Sequence, residues 1–182
     1  MSNPLDFSGK TVLVVGGSSG IGNGIARAFL GKGADVHVWG TRPSAADYDP
    51  AEGSDLSGLH YAQVDVADRS AVEGFEPAFA KLDVLVLSQG IVIYRRGEFD
   101  GGGFRKVIEV NLNSLMDCSL KFYDMLRASK GALITVSSTS AITAIRLAHF
   151  CFRSLDRHHH PPSNVPREDL AAQCRHVLER HR

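Results

Sequence analysis

The apolar positions of this chain follow two alternating rhythms. Short β-branched runs recur and end in glycine or polar residues, and between them apolar side chains return every three or four positions. Residues 10–15 (Lys10, Thr11, Val12, Leu13, Val14, Val15) form a run that predicts a strand buried on both faces. A helix is expected from Gly20 to about Lys32, with Ile21, Ile25, Ala28 and Phe29 inward and Gly31 and Gly33 ending it. A second strand covers 34–39, closed by Gly40, and the polar stretch 43–58 reads mostly as loop. A third strand is expected over 59–66, then a helix over 67–80 carrying Val72, Phe75 and Phe79, then a fully apolar fourth strand over 82–87. Gly101, Gly102 and Gly103 precede a long helix over 104–129, and 131–137 is a fifth strand. Strands alternating with helices at this spacing imply βαβ units. Right-handed crossovers then favour an α/β fold with a doubly wound parallel sheet, its ligand at the carboxyl ends of the strands.

Composition divides the chain. Every Gly lies at or before Gly131 and every Lys at or before Lys130, whereas six of the eight His lie beyond Ala144. Two regions are expected: a globular one over 1–144 and an anomalous tail over 145–182, in which 166–180 could form one amphipathic helix. In that helix Pro166 would sit near the start, Glu168 and Asp169 in the first turn, and Leu170, Cys174, Val177 and Leu178 on one face.

Zero net charge, with no clustered basic face, argues against nucleic acid as a partner. No run of about 18 apolar residues suggests a membrane span, and residues 1–6 lack signal-peptide character. Cys118, Cys151 and Cys174 are odd in number and scattered, as expected of reduced thiols in a cytoplasmic protein. His158, His159 and His160 are consecutive and cannot all face one ion from a regular element. Cys174 and His176 lack a second pair at zinc-finger spacing, so no metal site is expected.

The strongest chemical signal is Gly16-Gly17-Ser18-Ser19-Gly20-Ile21-Gly22, which follows a predicted strand and opens a predicted helix. A tight turn of this kind needs glycine where φ is positive. Bare backbone also lets N–H groups reach phosphate oxygens beside the positive end of the helix dipole. The G-x-x-x-G-x-G spacing resembles that of the short-chain dehydrogenase/reductase family, whose Rossmann-like domain has three layers, αβα. The resemblance covers about residues 8–144, lacks the family's last two strands, and is nearest to 3-oxoacyl-carrier-protein reductases.

On that resemblance Gly16, Gly20 and Gly22 are the motif glycines, and Ser18, Ser19 and Ile21 line the cofactor. Val15 stands where the family commonly has Thr. Asp65 and Val66 fall where the adenine is held. Ser88 and Gly90 belong to Ser88-Gln89-Gly90, in place of a usual N-A-G. Asn111 matches a helix Asn with structural and proton-relay roles, the alternative being a helix Asn bonded only to backbone. Ser138, beside Ser137, matches the substrate-orienting Ser; without the family, two Ser at a strand end read as turn formers.

Thr41 and Arg42 occupy the end of strand two. An acidic residue there would repel a 2′-phosphate, whereas a guanidinium pairs with one. NADP(H) is therefore preferred, with NAD(H) the alternative; a solvated Arg is the plainer reading.

The resemblance implies hydride transfer between a nicotinamide and an alcohol or carbonyl of a small molecule. It also implies a homo-oligomer formed through helix 104–129. The family's Tyr-x-x-x-Lys pair, expected about a dozen residues after the Ser, is absent. His149, Phe150 and Cys151 stand there, and Tyr48, Tyr61, Tyr94 and Tyr123 all lie upstream. An unperturbed phenol with pKa near 10 needs such a Lys to act at neutral pH. The expectation is an oxidoreductase impaired in this chain. The alternative is a non-catalytic dinucleotide-binding or partner-binding module. Arg, Pro and His enrichment is what Ala and Gly codons yield out of frame, so the tail reads as a frame slip, with a genuine replacement as the other account.

Overall fold

The computed structural model describes residues 5–93, 97 and 100–138. These lie within one compact unit, Met1–Ile142. The readings made for 145–182, including the helix over 166–180, lie outside the described residues.

Among the described residues, five parallel strands stand in the order β3-β2-β1-β4-β5. They are β1 (Thr11–Val15), β2 (Asp35–Gly40), β3 (His60–Gln63), β4 (Val84–Leu87) and β5 (Ala132–Thr135). This is the doubly wound α/β sheet that the alternation predicts. The period-2 rhythm of the strands sorts their side chains to two faces. Leu13, Val15, Trp39, Leu85 and Leu87 build one core with Phe122 and Cys118. Val12, Val14, Val36, Val38, Val84 and Val86 build the other with Ala26. A fully buried side chain of this size contributes roughly 1.5–3 kcal/mol.

The first core is also aromatic. The Trp39 ring meets Phe75 edge-on with centroids 4.8 Å apart and lies 5.6 Å from Phe122. Helix α1 (Gly20–Leu30) covers the opposite face. Its inner side differs from expectation. Ile21 is 72% exposed, Ala28 is exposed, and the buried residues are Gly22, Asn23 and Ala26. The small residues face inward because the helix lies tight against the glycine loop: a Cβ on Gly22 would collide with the Gly16 carbonyl.

Helix α2 (Arg69–Gly74) is shorter than the 67–80 expected. Pro77 lacks an N–H and disfavours helical backbone at Glu76, and Gly74 is a weak helix former, so the chain turns extended at Phe75, where φ is −66° and ψ 126°. Phe75 and Phe79 still reach the core. The third strand is likewise shorter than predicted. Within 43–58, two short 3₁₀ turns form at Ala45–Asp47 and Pro50–Glu52, capped by Ser44 and Asp49.

The long helix begins at Gly101 rather than 104. Asp100 caps it, accepting from the Gly102 and Gly103 amides, and its carboxylate offsets the poor propensity of three glycines. It runs as α3 (Gly101–Ile108), widens into a π-turn over Glu109–Asn113, and continues as α4 (Ser114–Ser129). The Ser114 hydroxyl donates to the Val110 carbonyl at 2.6 Å, within that widened turn.

Candidate functional site

The carboxyl ends of β1, β2 and β4 converge where the strand order reverses, and an open cavity of about 580 Å³ lies there. That volume suits a small-molecule or cofactor site. The glycine loop forms one wall. Gly16 has φ +74° and Gly20 has φ +54°, a region glycine enters without strain. The two glycines answer different needs. A Cβ on Gly16 would come within 2.8 Å of the Gln89 backbone, so Gly16 lets β1 and β4 close together at their ends. At Gly20 nothing lies within 4 Å of such a Cβ, so its backbone faces open space.

The first turn of α1 is also uncapped. Ser19 makes no side-chain cap bond and no acidic residue follows it, whereas Asp68 and Asp100 cap α2 and α3. The free N–H groups and the dipole there suit an anion. Asn23 pins the loop from beneath, its amide donating to the Gly17 carbonyl at 3.2 Å and the Asp55 carbonyl at 2.9 Å.

Most residues singled out in the sequence meet at this cavity. Gly16, Ser18, Ser19, Ile21 and Gly22 line it from the loop side. Thr41, Asp65, Val66, Ser88 and Gly90 line it from the strand ends. Gly20, Arg42, Asn111 and Ser138 are not among its lining residues. The Asn111 side chain is engaged with backbone: its Oδ1 accepts from the Ile91 amide at 2.8 Å and its Nδ2 donates to the Ile91 carbonyl at 3.0 Å. It thereby ties the π-turn to the segment after β4. Ser138 lies exposed just beyond β5.

Arg42 is exposed, and its side chain is docked on the neighbouring loop. Its guanidinium donates to the Asp47 carbonyl and lies 4.6 Å above the Tyr48 ring. The Tyr48 hydroxyl accepts from the Thr41 and Arg42 amides, each at 3.1 Å. Burial pushes the Tyr48 phenol up, but hydrogen bonds from Ser18 and from the Arg42 and Thr41 amides hold it net below the ordinary range. Gly40 makes this cluster fit, because a Cβ there would stand 2.5 Å from both the Ser18 and Tyr48 hydroxyl oxygens.

Sequence reasoning missed Gly40, Gln89, Ile91, Lys106, Val110 and Val136, which also line the cavity. Lys106 brings a positive charge from α3, which no local motif signals. Gln89 donates to the Ser114 hydroxyl at 2.9 Å, while its Oε1 is buried without a partner. The two positive-φ glycines and the uncapped helix start are compatible with a phosphate-bearing ligand.

Comparison with known proteins agrees with this arrangement. A family model described as short chain dehydrogenase matches residues 10–150. The chain is 36% identical over 143 residues to a 3-oxoacyl-[acyl-carrier-protein] reductase FabG of Chlamydia pneumoniae, covering 73% of this chain and 56% of that protein. It is 29% identical over 141 residues to a 2-dehydro-3-deoxy-L-rhamnonate dehydrogenase (NAD(+)) of a Sphingomonas species, covering 74% and 55%. The chain thus spans a little over half the length of these relatives. The solved Pseudomonas aeruginosa RhlG/NADP active-site complex superposes with a TM-score of 0.66 at 25% identity, over 83% of this chain and 62% of that one. With the strand order, the glycine loop and these matches in agreement, the chain belongs to the short chain dehydrogenase family.

Proposed function

We propose that this chain binds a nicotinamide dinucleotide at the carboxyl ends of its strands, as an oxidoreductase-lineage domain whose own hydride transfer is impaired. The observation that carries this reading is the uncapped first turn of α1, whose Ser19, Ile21 and Gly22 line the cavity. Amides near Ser18 and Ile21 would hold the bridging phosphates, and Asp65 and Val66 would flank the adenine. When bound, the nicotinamide supplies or accepts hydride for an alcohol or carbonyl of a small molecule; the named 3-oxoacyl-[acyl-carrier-protein] reductases suggest the class. Asn111 would act by positioning the π-turn, and Ser138 by orienting the substrate oxygen. The impairment rests on the stretch about a dozen residues after Ser138, where His149, Phe150 and Cys151 stand in place of the family's Tyr-x-x-x-Lys pair.

NADP(H) is the preferred partner, with NAD(H) the alternative, because a 2′-phosphate could take the Arg42 guanidinium from the Asp47 carbonyl. Isothermal titration with NADPH and NADH tests both statements. Arg42→Ala should weaken NADPH roughly 10- to 100-fold, the worth of a charge-assisted bond, and leave NADH unchanged. Absence of binding by either nucleotide would overturn the site. Saturable binding with no NADPH oxidation across a carbonyl panel would favour the non-catalytic module over a weak enzyme.

The same proposal includes a homo-oligomer. Leu112, Met116, Leu120 and Tyr123 form a stripe along the long helix, each 58–63% exposed, a spacing that suits a helix–helix contact. It also includes a reduced, cytoplasmic setting, supported by the free, buried Cys118 thiol. Among the described residues no helix is long and apolar enough to cross a membrane.

A further inference from the structure

The parallel register of β2 and β3 places His37 directly opposite His60. Asp35 lies two positions before His37, so its side chain projects from the same face of the sheet. The three side chains converge. His60 Nε2 lies 3.0 Å from Asp35 Oδ1, and His37 Nε2 lies 3.3 Å from Asp35 Oδ2. The imidazoles stack with centroids 4.7 Å apart and planes 23° from parallel, and one ligand atom from each residue falls within 4.8 Å of the others. Phe79 backs the His37 ring at 4.7 Å and limits its rotation.

We infer that Asp35, His37 and His60 form a binding site for a divalent transition cation of the zinc class, which clamps the edge strand β3 to β2. Two imidazoles and a carboxylate are a ligand set that zinc takes, with bonds of about 2.0–2.2 Å. Ligand atoms around a tetrahedral ion then stand about 3.3–3.5 Å apart, so the observed spacings need small side-chain adjustments. His60 and Asp35 are more than half exposed, which gives the ion an entry path and leaves room for water as a fourth ligand. The site sits toward the amino ends of β2 and β3, away from the cavity at their carboxyl ends. A clamp is useful there because β3 has only four residues and, among the described residues, pairs only with β2.

The test uses the full chain with His158, His159 and His160 replaced by Ala, so that the tail imidazoles add no background. Chelator-treated protein is titrated with Co2+, read by its visible ligand-field bands, and then with Zn2+ in competition. The expected result is one saturable site with a four-coordinate spectrum, displaced by Zn2+, and a melting temperature that rises with metal. Asp35→Asn and His60→Ala should each weaken binding tenfold or more and abolish the metal-dependent rise in melting. His60→Gln keeps a hydrogen-bonding group toward Asp35 and should lose the metal equally. Absence of a Co2+ spectrum in the parent would overturn the inference. So would equal affinity in the parent and the three variants, each shown folded by its metal-free melting curve.

Discussion

β4 and β5 are four residues long, lie side by side in parallel, and are both largely apolar, yet every residue of β4 is buried and every residue of β5 is exposed. Leu85 and Val86 are wholly buried, while Leu133 and Ile134, their partners across the ladder, remain 46% and 43% exposed. The difference lies in what covers them. β4 pairs on both edges and meets both cores, whereas β5, among the described residues, pairs only with β4. Apolar sequence therefore announces a strand but does not say whether it will be covered. An exposed apolar edge is itself a surface that tends to pair.

Asp83 sits where the buried strand hands over to the exposed one. Its carboxylate accepts from the Thr11 amide at 3.1 Å and ion-pairs with Lys10 at 3.1 Å and Lys81 at 2.7 Å. Its backbone carbonyl accepts from the Ala132 amide at 2.9 Å. Burial pushes this carboxyl up, but Lys81, the Thr11 amide and Lys10 outweigh it and hold the pKa at about 2.

The contrast between the strands can be broken by substitution. Leu85→Ala should cost about 2–5 kcal/mol in denaturant unfolding, because a full cavity opens in a packed layer. The same truncation at Leu133 should cost about 1 kcal/mol or less. Equal costs would mean that β5 is covered after all. Asp83→Asn should cost about 1–3 kcal/mol, since the lysines lose their charge partner and face an amide.

The Asp83 effect has a defined pH dependence. A depressed folded pKa stabilises fully above the unfolded value near 3.9, and the contribution is lost as pH falls toward 2. The melting-temperature gap between parent and Asp83→Asn should therefore be constant from neutral pH to about 5 and close below it. The smallest effect on stability is expected from Leu133→Lys, within about 0.5 kcal/mol. That variant should nevertheless reduce self-association in light scattering, because a charge on the edge opposes pairing.

Several elements were legible from the residues alone. The β1 run and the glycine loop were, because burial on both faces and positive φ leave local marks. The end of α2 shortly before Pro77 was legible in principle, but the apolar spacing of Val72, Phe75 and Phe79 masked it; the two Phe rings reach the core from beyond the helix. Ile21 read as a core residue because its spacing matched, although the tight approach at Gly22 turns it outward. The cavity was legible on its loop side and much less so across from it. Lys106 arrives from an element that carries no motif, and Gln89 stands at the middle of the N-A-G position, where the pattern marks no side-chain role.

The alternation of strand and helix, and the strand-to-helix glycine turn, belonged to the sequence by itself, since they follow from side-chain period and backbone sterics within a few neighbouring residues. Only the tertiary structure decided that Arg42 docks on Tyr48, that β5 lies bare beside a buried β4, and that His37 and His60 share Asp35. The last two depend on register and crossover between distant segments, where a shift of one residue would send each side chain to the other face; the first depends on how the loop after β2 folds back on itself.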